Sequence, residues 1–182
     1  MRLRNTLQRY GSMQITLHWA MLLLLAAVYA CIELRGYFPK GSDTREALKT
    51  WHFALGLTVL ALATVRVVIQ LLGPSPRIIP VPPRWQSITG KVVHIALYAF
   101  MLGMPIVGWL LLSAQAKVIP FFGLELPGLI PANSNVAEQL KEIHEAIGTL
   151  GYVLIGIHAA AALTHHYFVR DNTLRRILPR WN

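Results

Sequence analysis

Cysteine is almost absent from this chain of 182 residues: Cys31 stands alone, so no internal disulfide can form. Charge is scarce as well, at 14% of residues, and only eight residues are acidic against seventeen Lys and Arg. In a soluble protein a net charge of +9 would suggest nucleic acid as a partner. Here the charges sit in connections and tails between long apolar runs, so no nucleic-acid partner is expected. With 54% hydrophobic residues the chain exceeds the needs of a soluble core, and a lipid bilayer accounts for the excess. There is no internal repeat and no low-complexity tract, and the length suits a single membrane domain over 1–182. The first apolar segment is too long for a signal-peptide h-region and lacks a small-residue cleavage site, so it is expected to be retained.

What the chain does have is four apolar stretches, about 13–32, 50–72, 92–116 and 144–169, each long enough to cross a hydrocarbon core of roughly 30 Å as a helix. They predict an all-α integral membrane four-helix bundle. The connection 33–49 is turn-rich, with Arg35, Gly36, Pro39 and Gly41; 73–89 is proline-rich and should be extended. The longest, 115–141, carries Pro120, Phe121, Phe122, Pro127 and Pro131 and suggests a partly apolar flap on the membrane surface. Gly103, Pro105 and Gly108 predict a kink or weakened helix in the third span. Arg66, near the exit of the second, is expected to snorkel to the surface. Arg35, Lys40, Arg45, Lys49, Lys117 and Lys141 fall on one side of the membrane; the rest of the seventeen basic residues, from Arg2 to the C-terminal tail, fall on the other. The positive-inside rule then puts both termini in the cytoplasm.

No charged side chain occurs between Ala146 and Val169, yet this stretch and its entrance carry His144, His158, His165 and His166. Ionisable groups are rare in lipid and usually mark function. His144 and His158 lie on one helix face, within about 40° of each other, but separated by a rise of about 21 Å. One metal ion cannot hold both, whereas two prosthetic groups stacked across the membrane can be served. The same face passes Gly148, Gly151 and Ile155, leaving little side-chain bulk against a flat macrocycle such as haem. Gly56 follows His52 as Gly148 follows His144.

Depth pairs the histidines. The first span runs outward and the fourth inward, so His18 and His158 fall toward the cytoplasm, while His52 and His144 open their spans near the outer surface. Four histidines thus resolve into two bis-imidazole sites for two haem b groups: His18 with His158, and His52 with His144. Two axial imidazoles leave iron no open position, which points to outer-sphere electron transfer. The lack of C-x-x-C-H excludes covalent attachment. Alternatively the imidazoles only hydrogen-bond helix to helix, or they bind Zn or Cu in a metal-ion transporter, although acidic or thiolate partners inside the spans are lacking. His94, at the start of the third span, is left out of the ligand set.

The stretches Gln14–Trp19 (QITLHW), Glu33–Gly41 (ELRGYFPKG), Gly151–Leu163 (GYVLIGIHAAAAL) and His165–Pro179 (HHYFVRDNTLRRILP) resemble the bacterial inner-membrane cytochrome b561 family, especially its superoxide oxidase members. The resemblance implies a di-haem b protein of the inner (cell) membrane, with the ligand positions at His18, His52, His144 and His158, passing electrons between an outer haem and ubiquinone near the inner one. In the superoxide oxidase members the donor is periplasmic superoxide. Other members are electron carriers, so a cytochrome b subunit serving a dehydrogenase or another protein partner, docked on the 115–141 flap, stays open. A superoxide anion would be drawn to the outer basic groups, with Arg35 the preferred contact; its alternative role is interfacial anchoring. His165 lies seven residues beyond His158 and within about 20° of it. With His94 it could hydrogen-bond quinone carbonyls or deliver protons, while His166 sits at the headgroup level.

Overall fold

In lipid every backbone polar group must be satisfied within the segment, and four long apolar stretches answer that demand as helices. They are α1 (Ser12–Leu34), α2 (Asp43–Leu72), α3 (Arg84–Ala114) and α4 (Ser134–Thr164). Residues 4–179 are described by the structure, a computed structural model; Arg2 and the tail residues 180–182 lie outside the described residues. Each helix contains a window long and apolar enough to cross a membrane, and side chains such as Leu23, Leu150, Val153 and Phe168 face outward. The protein is an all-α four-helix membrane bundle.

Three helices start inside stretches that composition alone assigns to connections. Ser42 accepts a hydrogen bond from the Arg45 N–H and caps α2, and Asn133 does the same for Asn135 and Val136 at α4. α3 starts directly after Pro83, whose missing N–H and fixed φ suit a helix entry. It then runs unbroken past Gly103, Pro105 and Gly108. Neighbouring helices support such breakers in membrane bundles.

α1 packs on α2, α2 on α3 and α3 on α4, around Met21, Val59, Ala63, Leu97 and Met101. The fourth side of the bundle is open. Among the described residues, the Cα atoms of α4 come within 8 Å of no helix of the bundle except α3. α4 therefore stands off α1 and α2, and long side chains bridge the gap: Tyr29 on α1 donates to the Gly148 carbonyl of α4 at 2.7 Å.

The expected flap contains a β-hairpin, β1 (Ile119–Phe121) and β2 (Leu124–Leu126), turning through Phe122 and Gly123, both at positive φ. Ile119 is fully buried in a cluster with Leu57 of α2 and Leu112 of α3, which seats the hairpin on the end of the bundle away from the termini. At the other end, the segment after α4 folds back. Asn172 exchanges hydrogen bonds with Ile79, Arg176 bonds the Pro76 carbonyl, and the Trp19 indole donates to the Ile177 carbonyl at 2.9 Å. This tail caps the terminal end.

Candidate functional site

The gap between α4 and its two distant neighbours is where the four histidines meet. The His52 and His144 ring centres are 6.3 Å apart, and those of His18 and His158 are 6.2 Å apart. A metal ion takes an imidazole nitrogen at about 2.0–2.1 Å, and the ring centre lies about 1.1 Å behind it, so two imidazoles trans on one ion have centres about 6.2–6.4 Å apart. Both pairs match that separation.

The pair near the hairpin faces a cavity of about 600 Å³. Val28 lends its carbonyl to His52 Nδ1 at 3.0 Å, so that nitrogen donates and Nε2 keeps its lone pair. His144 Nδ1 is buried without a partner among the described residues. The walls are bare where a flat group would lie. A Cβ on Gly56 would meet nothing within 4 Å, one on Gly148 would meet only Met104 Cε at 3.7 Å, and one on Gly108 would press on His144 Cε1 at 3.2 Å. Gly151 does not belong to this cradle, against the expectation from its helix face. A Cβ there would strike Tyr29 Oη and the Phe100 ring, which already fill the space. At the rim stand Arg35, Lys49, Lys117 and Lys141, opposed by Glu33 and Glu145. Arg35 lies in a short 3₁₀ turn after α1, its carbonyl held by Arg45 Nη1 at 2.8 Å. Glu33 accepts the Tyr152 hydroxyl at 2.7 Å, and Tyr152 lies against Tyr29.

The pair at the terminal end has more company. His94, set aside by the sequence pattern, places its ring 5.4 Å from that of His158, closer than His18 does. That spacing is shorter than a trans pair on one ion requires, so His94 stands as a neighbour of the pair. Arg66 does not snorkel. Its guanidinium turns inward, Nη2 lying 3.3 Å from His18 Nδ1 and Cζ 5.8 Å from the Tyr98 ring centre. His165 opens a π-helical turn after α4, and its Nδ1 lies 2.6 Å from Asp171 Oδ2. Burial alone would push the Asp171 carboxyl up, but its hydrogen bonds to His165 and Thr173 outweigh that and hold it below the usual range. His166 packs on Tyr167.

A family model described as prokaryotic cytochrome b561 matches residues 9–180. The chain belongs to that family. It is 40% identical over 174 residues, 96% of this chain and 99% of the relative, to Cytochrome b561 homolog 1 of Escherichia coli (strain K12). It is 36% identical over 173 residues, 95% of this chain and 97% of the relative, to a protein of Yersinia pestis named Probable superoxide oxidase CybB. Cytochrome b561 homolog 2 of the same Escherichia coli strain is 25% identical over 186 residues, 98% of this chain and 95% of the relative.

Membership of the cytochrome b561 family implies haem b, and the residues fit it: paired imidazoles at metal-bridging separation, a glycine-walled cavity and a buried imidazole nitrogen with no partner among the described residues. Several residues of this cytochrome b561 escape sequence reasoning. Tyr29, Phe100 and Tyr152 carry no spacing signal. Asp171 does carry one, because it is the single acid at the basic terminal end.

Proposed function

We propose that this chain is a multi-pass oxidoreductase of the bacterial inner membrane, both termini cytoplasmic, that takes electrons from superoxide at the outer end and delivers them to ubiquinone at the inner end. His52 and His144 would hold an outer haem b, and His18 and His158 an inner one. The observation carrying this reading is the pair of 6.2 and 6.3 Å imidazole separations at the two ends of one bundle. Held by these imidazoles, haem would supply one-electron transfer. The protein does the rest.

The Val28 carbonyl fixes the tautomer and orientation of His52. Arg35, Lys49, Lys117 and Lys141 outnumber the acids of the rim and draw in a small anion, with Arg35, which directly follows the first span in the family-like ELRG stretch, the preferred contact. Superoxide gives up one electron and leaves as oxygen, so it needs no bond to the protein. Ubiquinone needs two electrons and two protons. His94 beside the inner pair, and His165 backed by the Asp171 carboxylate, are placed to pass protons from the cytoplasmic side. The name of the Yersinia pestis relative supports superoxide as the donor. The test is purified protein given a steady superoxide source and ubiquinone. Ubiquinol should form at a rate that added superoxide dismutase abolishes; formation no faster than without protein would refute the assignment.

A further inference from the structure

Two guanidinium groups are sunk into the terminal end of the bundle, and neither forms a salt bridge among the described residues. Arg66 makes its contact through Nη2 to His18 Nδ1, and its Nε is buried with no partner among the described residues. A neutral imidazole nitrogen can accept that N–H, but it brings no negative charge to balance the guanidinium. Arg176, only 9% exposed, gives Nη1 to the Pro76 carbonyl, and its Nε is buried with no partner among the described residues. The two converge. Both act electrostatically on the Tyr10 hydroxyl and on His94, and the Arg176 guanidinium carbon lies 5.8 Å from the Tyr10 ring centre.

Burying a cation without an anion is costly. The acids help little: seven of the eight lie at the opposite end, from Glu33 to Glu145, and Asp171, which acts electrostatically on Arg176, is hydrogen-bonded to His165 and to the Thr173 N–H at 2.8 Å. A neutral quinone would leave the charge uncompensated. A group bearing two carboxylates, brought beside His18 and His158, would balance it.

We propose that Arg66 and Arg176 form a carboxylate seat for the propionates of the inner haem, with the Tyr10 hydroxyl as a further donor. This rests on the inner haem proposed above. The planar guanidinium matches a carboxylate in a two-pronged geometry that lysine lacks.

The test uses the purified full-length protein carrying haem labelled with ¹³C at the propionate carboxyls, read by redox-difference infrared spectroscopy. Arg66→Gln and Arg176→Gln should each shift the labelled carboxylate bands, with Arg66→Lys shifting them less. One of the two haems should also pass to a haem scavenger on the order of tenfold faster in the Gln variants. Labelled bands unchanged in both Gln variants, while two haems remain bound, would overturn the seat and leave the two-haem reading intact. So would unchanged bands with a raised KM for ubiquinone, which would assign the arginines to the quinone. Fewer than two haems in the unsubstituted protein would instead remove the inner haem, and this seat with it.

Discussion

Replacing Gly56 by valine separates the cavity's role from the fold's. A Cβ at this position meets nothing within 4 Å, so the bundle itself accepts a side chain there. The residue nonetheless faces the 600 Å³ cavity one helical turn beyond His52, and valine would put two methyl groups into the space proposed for the macrocycle. Overpacking of this kind costs about 1–3 kcal/mol, which at about 1.4 kcal/mol per decade weakens haem binding at His52 and His144 roughly 5- to 150-fold. Gly103→Val is the control, because a Cβ at Gly103 also meets nothing within 4 Å but faces the shallow groove between α3 and α4. Haem per chain is read by pyridine haemochrome after dilution, and helix content by circular dichroism. Gly56→Val should lose about one haem and Gly103→Val none, with helix content unchanged in both. If both variants keep their haem equally, or lose it equally, the cavity is not the haem slot.

Three further outcomes follow from the same geometry. Arg35→Glu with Lys117→Glu should lower the superoxide-driven rate several-fold at low salt, and the deficit should shrink as ionic strength rises and the Debye length falls from about 30 to about 8 Å. Gly151→Ala should cost about 1–3 kcal/mol of stability in detergent melts, since its Cβ would lie 2.5–2.7 Å from Phe100 ring carbons and crowd out Tyr29; Phe100→Ala in the same chain should recover part of the loss. The Asp171 carboxyl titrates below its unfolded value, so its contribution is present above about pH 4 and fades as pH falls through the folded value. Asp171→Asn should therefore lower the thermal midpoint at neutral pH and flatten its decline under acid; an unchanged acid profile would contradict that linkage.

The pairing of histidines was legible because it depends on two simple quantities, helical rise and span direction, which antiparallel crossings convert into common depth. Side-chain direction was not. A long cation near a helix end usually escapes to the surface, yet the Arg66 guanidinium turns toward His18 and Tyr98. Gly151 shares a helix face with Gly148, but two aromatic side chains from α1 and α3 claim its space, and periodicity on one helix cannot show what its neighbours send in. The hairpin stayed hidden because its turn uses Phe122 and Gly123 rather than Asn-Gly. His94 lacked a partner in its own span, so its approach to His158 emerged only with helix packing. The back-folded tail depends on backbone carbonyls, which have no sequence signature.

The central claim, one haem for each histidine pair, is tested most directly by haem stoichiometry in the purified protein and in His52→Ala and His18→Ala. Two low-spin haems per chain, falling to one in each variant with a different member of the pair lost, is the predicted result. A single haem in the unsubstituted protein, or loss of the same haem from both variants, would contradict it.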